Sequence, residues 1–347
     1  MADKVLIRTP NHLGDCLMAL PMINETREAY PGSTVTVMAP DHLTVLYELN
    51  PAIDRILAIP AAHVHGLIGV IKIRDIIAPH AFDLGYILPP SFGAAAGFKL
   101  AGIKKRIGYI SDGRRLLLSK PLPLPTPLSS THRSETYFNL LRRAAGADPE
   151  FVRPKLFLNE QDTAGAEDIL SRFGVGKSEP YSVLAVRAVA ESRRWGLPRY
   201  TDLAKRLISS YGLKVVLVGS SDDARDGDTV VSSAGSGDVT NLAGKTGLRE
   251  SAAVISRARF FVGNDSGPAH LAAAVGIPLV VLSGADQPKE TSPLSPRKQL
   301  IYLDHLDCIS CVKNVCPLKG EGHMRCMTEI TVDMVTDAID ELLRSID

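Results

Sequence analysis

The segment Asn11-His12-Leu13-Gly14-Asp15 holds the first side chains of the chain that could do chemistry. It follows an aliphatic run and precedes a helical pattern, and open α/β sheets bind ligands at such strand-to-helix junctions. Asp15 could act there as a general base, or it could cap the helix, since aspartate is a favoured N-cap residue. Position alone favours capping by a small margin. His12 could bind an acceptor, although a lone loop histidine is more often solvated.

A second segment, Val262 to His270, reads Val-Gly-Asn-Asp-Ser-Gly-Pro-Ala-His, so that an aliphatic run meets small polar residues and then an alanine-rich helix. Gly267 would allow a ligand close to the backbone, and the amides at a helix N-terminus favour phosphate oxygens. The pattern indicates a diphosphate site that includes Asp265, Ser266, Gly267 and His270. A turn capped by Asp265 or Ser266 would need no ligand, but the length of the motif favours function.

Ser192-Arg193-Arg194-Trp195 contains the only tryptophan of the chain. Guanidinium groups bind phosphate in a bidentate manner, and an aromatic plane can pack on a ring or support an arginine. Arg193 and Arg194 are therefore candidate phosphate ligands. A basic turn whose tryptophan packs over a helix explains the same residues equally well.

Positive charge is concentrated between Lys99 and Lys120, where seven Lys and Arg residues stand against one acidic residue, Asp112. The whole chain is nearly balanced, with 39 Lys and Arg against 38 Asp and Glu, which gives no global attraction to nucleic acid or anionic lipid. Such a local patch suits an anionic acceptor, although a solvated basic loop is the commoner origin of a charge run. The candidate acceptor-binding residues are Lys104, Lys105, Arg106, Arg114 and Arg115.

Four of the five cysteines are close in the sequence, as Cys308, Cys311, Cys316 and Cys326. Four thiolates could hold a structural zinc ion or an iron-sulfur centre, although the spacing is not that of a common zinc finger. Free thiols or an occasional disulfide are equally compatible with the pattern. A structural metal at these cysteines is one of two open interpretations.

The elements around these residues alternate between short aliphatic or β-branched runs and longer amphipathic ones, which predicts parallel sheets. In the first half, strands are predicted at 4–8, 34–38, 55–59, 84–88 and 106–110, with a helix over 14–30, a proline-rich loop over 121–127 and a helix over 132–145. In the second half, strands are predicted at 182–186, 214–218, 260–263 and 279–282.

The length of 347 residues and the duplicated rhythm predict two domains with a cleft between them. The predicted bounds are 1–158 for an N-terminal Rossmann-like domain, 159–180 for a linker, 181–330 for a C-terminal Rossmann-like domain and 331–347 for a closing helix. The apolar run near the N-terminus is too short for a signal peptide, and no later segment approaches a membrane-spanning length. A cytoplasmic protein is therefore expected.

These motifs together resemble those of glycosyltransferase family 9, the heptosyltransferases. The likeness spans nearly the whole chain and rests, in order, on Leu13-Gly14-Asp15, Met38-Ala39-Pro40, Arg193-Arg194-Trp195, Leu217-Val218-Gly219-Ser220, Asn241-Leu242-Ala243-Gly244 and Asn264-Asp265-Ser266-Gly267 with His270. The resemblance implies an α/β protein of GT-B fold, with two Rossmann-like domains whose parallel sheets face each other across a cleft. The acceptor would bind mainly to the N-terminal half and the nucleotide sugar mainly to the C-terminal half.

The resemblance also implies an inverting transfer of heptose from ADP-L-glycero-D-manno-heptose to the lipopolysaccharide inner core. Asp15 matches the family's catalytic aspartate, which favours the general base over the cap, and Arg193 stands where the family usually has a phosphate-binding lysine. The implied partners are an ADP-sugar and a lipid A-linked core oligosaccharide, with no nucleic acid and no cofactor required for catalysis. We expect a monomer that could contact the cytoplasmic face of the inner membrane.

Two stretches depart from the family's pattern. Residues 185–190 read Ala-Val-Arg-Ala-Val-Ala, where the family commonly has a Pro-Gly-Ala-like turn. The acidic residue expected after Gly219-Ser220, which would contact the nucleotide, is either Asp222 or Asp223. These departures leave two alternatives open, namely a transferase of the same fold that uses another nucleotide sugar, and a non-catalytic protein that binds one.

Overall fold

The structure, a computed structural model, describes residues 2–63, 66–146 and 149–345. It divides the chain into two compact units, which meet in the sequence between Phe157 and Leu158. Each unit contains a six-stranded sheet in which all paired strands are parallel, and helices follow the strands. The predicted α/β fold with two Rossmann-like halves is confirmed.

The first unit has the strand order β3-β2-β1-β4-β5-β6. Its strands are β1 (Lys4–Arg8), β2 (Thr34–Pro40), β3 (Arg55–Ile59), β4 (Leu84–Ile87), β5 (Lys105–Tyr109) and β6 (Lys120–Leu122). Its helices are α1 (Leu13–Met18), α2 (Leu20–Asn24), α3 (Thr26–Ala29), α4 (Gly66–Ile77), α5 (Phe92–Leu100) and α6 (Arg133–Ala145).

The second unit has the strand order β12-β11-β10-β7-β8-β9. Its strands are β7 (Tyr181–Ala185), β8 (Lys214–Leu217), β9 (Val239–Asn241), β10 (Phe261–Asn264), β11 (Leu279–Ser283) and β12 (Lys298–Tyr302). Its helices are α7 (Glu160–Arg172), α8 (Leu197–Tyr211), α9 (Ala224–Ala234), α10 (Leu248–Ser256), α11 (Gly267–Val275), α12 (Pro288–Thr291), α13 (Arg325–Thr328) and α14 (Val332–Arg344).

The central strands are buried along their whole length, as every residue of β7 and of β11 shows. Parallel sheets covered by helices on both faces produce such continuous apolar runs. In each sheet the strand order reverses beside the unit's first strand, between β1 and β4 and between β7 and β10. Ligands bind at the carboxyl ends of the strands at such reversal points, which is where the segments after β1, β7 and β10 lie.

The linker predicted at 159–180 is wrong for most of its length, because these residues form α7 of the second unit. Asn159 and Asp162 cap the start of α7 reciprocally, and Asp162 also accepts two hydrogen bonds of 2.6 Å from Arg249 on α10. The polar composition that suggested a linker belongs to a surface helix that buries only a narrow stripe, Ala166, Ile169 and Leu170.

Two further predictions need correction, and both concern proline. Of the loop predicted over 121–127, only Pro121 and Leu122 differ, because they belong to β6 at the edge of the sheet, where a strand tolerates proline without a ladder hydrogen bond. The helix predicted over 14–30 is divided into α1, α2 and α3, with Pro21 in the first turn of α2. Proline lacks the amide that would continue the preceding helix.

The described helices include none that is both long and apolar enough to cross a membrane. The predicted closing helix corresponds to α14, whose buried residues pack in the core of the second unit.

Candidate active site

Asp15 lies in the first turn of α1, directly after the β1 reversal point. The N-cap of α1 is His12, whose side chain makes no capping hydrogen bond, so the interpretation of Asp15 as the cap is wrong. The Asp15 carboxylate is partly exposed and accepts a long hydrogen bond of 3.4 Å from the buried hydroxyl of Tyr137 on α6. Burial, followed by the charge of Asp15, raises the pKa of Tyr137, which therefore stays protonated and orients the carboxylate.

A buried arginine fixes the loop that carries Asp15. Arg8, at the end of β1, is 1% exposed and donates from Nη1 to the Thr9 carbonyl at 2.5 Å and from Nη2 to Asn11 Oδ1 at 2.6 Å. Cys16 donates to the Pro10 carbonyl at 3.2 Å. Burial lowers the pKa of Arg8 to about 10, so the guanidinium remains charged near neutral pH. The sequence could have indicated the role of Arg8, because a charged residue at the end of an aliphatic strand is unusual. Nothing in the sequence indicated the contact of Tyr137 with Asp15.

The predicted basic acceptor site is not assembled as expected. Lys104 and Lys105 stand at the amino end of β5, at the opposite edge of the sheet from Asp15. Arg106 donates to backbone carbonyls, including that of Leu117 at 2.7 Å. Arg114 is 1% exposed and binds the carbonyls of Tyr109 and Pro89. The acceptor assignment is corrected for these four residues, because two are on the wrong edge and two guanidinium groups hold the fold.

The Asn264–Gly267 turn begins α11, with Ser266 as its N-cap. The Ser266 side chain makes no capping bond and donates to the Asn264 carbonyl at 3.1 Å. Within the described part of the chain, the amides of Ser266 and Gly267 have no hydrogen-bond acceptor, and both residues are partly exposed. Two such amides at a helix N-terminus can bind an anion.

Two carboxylates lie buried beside this turn. Asp265 is 3% exposed, with Ser283 Oγ at 3.5 Å and His270 Nε2 at 3.9 Å from its oxygens. Asp286 is 4% exposed, and its Oδ1 lies 2.6 Å from Arg193 Nη2. Burial raises the pKa of both carboxyl groups; the charge of Asp286 raises that of Asp265 further, and Arg193 opposes the shift at both.

The pair Arg193 and Asp286 retains unused hydrogen-bonding capacity. Arg193 Nε, Asp286 Oδ2 and the nearby Asn264 Nδ2 are buried and have no partner among the described residues. Buried polar atoms are nearly always satisfied, so these three are the atoms expected to meet a ligand or water. Asp286 and Lys298 were not predicted from the sequence; the positive charge of Lys298 acts on Asp265 and opposes the rise of its pKa. The position of Asp286 in the sequence could have indicated its role, because it follows β11, which lies beside β10 in the sheet.

The residues next to Arg193 have structural roles. Trp195 is 1% exposed and donates from Nε1 to the Ile330 carbonyl at 2.8 Å. Its ring is therefore part of the core and does not face a ligand. The Trp195 amide donates to Asn264 Oδ1 at 3.1 Å, which ties the Arg193 loop to the α11 turn. Arg194 donates to the carbonyls of Ala188 and Val189 at 2.9 and 3.1 Å, so its guanidinium closes the loop after β7.

Asp222 and Asp223 separate in the structure. Asp223 Oδ2 accepts 2.8 Å hydrogen bonds from both the amide and the hydroxyl of Ser220, so it caps the turn that follows β8. Asp222 is exposed, and its carbonyl accepts a hydrogen bond from Arg187 at 3.0 Å. Of the two, Asp222 has the carboxylate that this turn does not use.

The four clustered cysteines are free thiols. Burial, followed by the charges of Cys308, Cys311 and Cys316, raises the pKa of Cys326 to about 11, so the four sulfurs influence one another. Across residues 2–63, 66–146 and 149–345, however, no three His, Cys, Asp or Glu side chains are arranged so that they could hold a metal ion. Cys326 belongs to the core of the second unit, and Cys308 and Cys316 pack against that core.

Residues 310–314, which lie between Cys308 and Cys316, form hydrogen bonds with two loops of the site. The amides of Ser310 and Val312 donate to the carbonyls of Gly284 and Ala285 at 3.0 and 2.8 Å, directly before Asp286. The Ser192 amide donates to the Asn314 carbonyl at 3.1 Å, directly before Arg193. This segment therefore holds both partners of the Arg193–Asp286 ion pair.

The raised pKa of Asp265 gives a testable pH dependence of stability. A carboxyl group whose pKa is higher in the folded than in the unfolded state stabilises the fold while it is protonated, and that contribution is lost as the pH rises from about 4, the unfolded value, to about 8. Asp265→Asn keeps the neutral form at every pH. We expect it to be more stable than the wild type by about 2 kcal/mol at pH 8.5 and to differ little at pH 4.5.

The measurement is thermal unfolding followed by the fluorescence of Trp195, the single tryptophan, which reports on the core of the second unit. Melting curves of the wild type and Asp265→Asn are recorded from pH 4.5 to 8.5. Parallel curves across that range would show that the Asp265 pKa is not raised.

The model of glycosyltransferase family 9 (heptosyltransferase) matches residues 70–321. Lipopolysaccharide heptosyltransferase 2 of Salmonella typhimurium strain LT2 is 30% identical to this chain, and the alignment covers 98% of each protein. The solved structure of Escherichia coli ADP-heptose lipopolysaccharide heptosyltransferase II superposes with a TM-score of 0.82 at 26% identity, over 99% of both chains. E. coli heptosyltransferase WaaC, solved with ADP-2-deoxy-2-fluoro heptose, shares the fold at 17% identity, with a TM-score of 0.70 over 97% of this chain and 99% of its own.

Proposed function

This chain belongs to glycosyltransferase family 9, the heptosyltransferases, and from that premise we propose that it transfers heptose from ADP-L-glycero-D-manno-heptose to the inner core of lipopolysaccharide. The observation that carries the proposal is the anion site of the second unit. Arg193 and the unpaired amides of Ser266 and Gly267 are matched to a diphosphate, and the neighbouring unused polar atoms are matched to the hydroxyl groups of a sugar.

The proposed reaction is a single displacement with inversion. The Asp15 carboxylate accepts the proton of an acceptor hydroxyl while that oxygen forms a bond to the anomeric carbon. The bond between that carbon and the diphosphate oxygen breaks, and its electron pair leaves with ADP. Arg193 and the amides of Ser266 and Gly267 stabilise the charge that develops on the leaving diphosphate. The first unit thus supplies the base and the second unit the site for the nucleotide sugar.

The buried carboxylates adapt the second unit to an anionic ligand. Two ionised carboxylates beside a diphosphate would repel it, but the raised pKa of Asp265 keeps that group protonated near neutral pH. Asp286 remains paired with Arg193. A neutral Asp265 can also donate a hydrogen bond to a sugar oxygen. Asp222, whose side chain the β8 turn does not use, is the proposed contact of the nucleotide.

The proposed acceptor is a core oligosaccharide linked to lipid A, which places the enzyme on the cytoplasmic face of the inner membrane during catalysis. His12 is exposed beside Asp15, and Arg115 is exposed after the carboxyl end of β5. Both are at the same edge of the first sheet as Asp15, so they are the proposed contacts of the anionic acceptor.

A second candidate is a transferase of the same fold that uses another nucleotide sugar. The loop after β7 favours it, because residues 185–190 contain no glycine, Val189 is fully exposed, and Arg194 holds the Ala188 carbonyl. Both candidates share the mechanism above and differ only in the sugar.

The deciding experiment incubates the purified protein with ADP-heptose and a heptose-deficient lipopolysaccharide acceptor, and measures ADP release together with the mass of the acceptor. We expect ADP release that depends on the acceptor and a mass gain of one heptose residue. Parallel reactions with other ADP-sugars and with UDP-sugars test the second candidate. ADP release without any acceptor product, or no turnover with ADP-heptose, would contradict the proposal.

A further inference from the structure

Large apolar side chains stand exposed on one side of the first unit. On α4, Leu67, Ile68 and Ile71 are 84, 64 and 50% exposed, and on α5 Phe92 is 53% exposed. Leu116, in the 3-10 turn that packs on α5, is 85% exposed. These five side chains are called the apolar patch below. Contiguous exposed apolar surface marks a place where a protein meets another surface.

The register of α4 and α5 brings Phe92 close to the exposed residues of α4. The two helices run side by side in the same direction, because Gly93 of α5 lies against Val70 and Gly97 of α5 lies against Ile73. Phe92 is therefore level with the first turns of α4, which hold the three exposed aliphatic residues. Each helix buries its other face in the core of the first unit.

The patch occupies the functional edge of the first sheet. Its two helices begin after the carboxyl ends of β3 and β4, and the Asp15 loop follows the carboxyl end of β1. A surface that covers the patch would therefore lie near the edge at which the proposed base accepts its proton.

Exposed cations accompany the patch on both helices and on the 3-10 turn. Lys72 follows the exposed leucine and isoleucines on α4, Lys99 lies in the last turn of α5, and Arg115 adjoins Leu116; all three are exposed. Anionic lipid headgroups complement this charge, and apolar side chains can enter the boundary of the acyl chains. A second copy of the chain would instead bring like charges together.

We propose that the apolar patch and its surrounding cations dock the first unit on an anionic lipid bilayer. The proposed function supplies the reason for such docking, since a lipid-linked acceptor is held in a membrane, but the docking itself needs neither substrate. With the patch in the bilayer surface, the Asp15 edge of the sheet is brought to the sugars that project from it.

The test is co-sedimentation with vesicles in the absence of nucleotide sugar and acceptor. Vesicles of phosphatidylethanolamine and phosphatidylglycerol are compared with vesicles of phosphatidylcholine. We expect the wild type to bind the anionic vesicles more strongly, and high salt to weaken that binding. The triple variant Leu67→Ser/Ile71→Ser/Phe92→Ser should bind at least about tenfold more weakly, because three apolar side chains no longer enter the lipid.

The matched control is Phe173→Ser, which removes a similarly exposed aromatic side chain at the end of α7 in the second unit. We expect it to bind vesicles as the wild type does. Lys72→Glu/Lys99→Glu should weaken binding to the anionic vesicles only. Circular dichroism and melting curves confirm that each variant is folded.

Two results would overturn the docking proposal. One is equal vesicle binding by the wild type and the triple variant. The other is a wild-type dimer that becomes monomeric in the triple variant, by light scattering, since the patch would then be an interface between copies.

Activity assays separate this proposal from the proposed function. With an acyl-free, water-soluble acceptor, the triple variant should transfer heptose at the wild-type rate, whereas with the acceptor in vesicles it should be at least about tenfold slower. If heptose transfer fails for every variant with both acceptors while the vesicle results hold, the function is wrong and the docking surface stands.

Discussion

Asp15→Asn is expected to lower kcat for heptose transfer by about a hundred- to ten-thousand-fold, the range that a positioned general base contributes. Asparagine keeps the shape of the side chain and can still accept the hydrogen bond from Tyr137, but it cannot take the proton of the acceptor hydroxyl. The partly exposed position in the first turn of α1 should accommodate the amide without loss of stability.

The measurement is the initial rate of ADP release with saturating ADP-heptose and acceptor. KM for ADP-heptose should change little, because the nucleotide sugar is assigned to the other unit. Glu28→Gln, an exposed carboxylate on α3, is the matched control and should retain the wild-type rate. Normal turnover by a folded Asp15→Asn would refute the assignment of the base.

Tyr137→Phe refines this prediction. The long hydrogen bond to Asp15 orients the carboxylate without carrying the proton, so its loss should reduce kcat only several-fold. An effect of Tyr137→Phe as large as that of Asp15→Asn would mean that the phenol itself participates in the proton transfer.

Arg193→Met is expected to lower kcat/KM for ADP-heptose by about a hundred- to a thousand-fold, the range found when a group that stabilises developing negative charge is removed. Methionine retains much of the apolar stem but supplies no cation to the leaving diphosphate. Arg194→Met is the informative neighbour, because that guanidinium holds backbone carbonyls of the β7 loop and should affect kcat/KM much less.

A second substitution at Asp286 allows the electrostatic role of Arg193 to be measured separately from its structural role. Removal of Arg193 leaves a buried carboxylate without its cation, which destabilises a protein unless the carboxylate takes up a proton. We therefore expect Arg193→Met/Asp286→Asn to recover the melting temperature lost in Arg193→Met, because it leaves no uncompensated charge. It should not recover kcat/KM.

Asp286→Asn alone should raise KM for ADP-heptose and weaken ADP binding, measured by calorimetry, about tenfold, since the arginine loses the anion that orients it. A tighter binding of ADP by Asp286→Asn would show that the carboxylate competes with the diphosphate instead of positioning its ligand. Unchanged ADP binding by Arg193→Met would contradict the assignment of the arginine itself.

Much of this molecule can be read from local sequence. Short aliphatic runs indicate the strands, and eleven of the predicted elements, including β1, β3 and α6, differ from the structure by at most a few residues at their ends. The Asn264–Gly267 turn also follows from sequence, because glycine permits a tight turn and small polar residues are favoured where a helix begins. Here, the family likeness and the local physics agree.

The basic stretch shows where sequence fails. Seven cations between Lys99 and Lys120 look like one patch, but a chain that passes through α5, β5 and β6 distributes them over both edges of a sheet. Arg106 and Arg114 are taken up by backbone carbonyls that only the fold brings near. The apolar patch could not be predicted from the sequence for the same reason. Whether Leu67 or Phe92 is exposed depends on which other elements cover its helix.

The sequence by itself determined the α/β architecture and the family, and it predicted Asp15 as the base and the turn at Asp265 as part of the nucleotide-sugar site, because each is encoded within a few adjacent residues or in their order. Only the tertiary structure decided that Tyr137 contacts Asp15, that Asp286 holds Arg193, and that Trp195 is core. Those contacts join residues about 90 to 120 positions apart or depend on burial, and burial and long-range proximity are properties of the packed chain that no local pattern specifies.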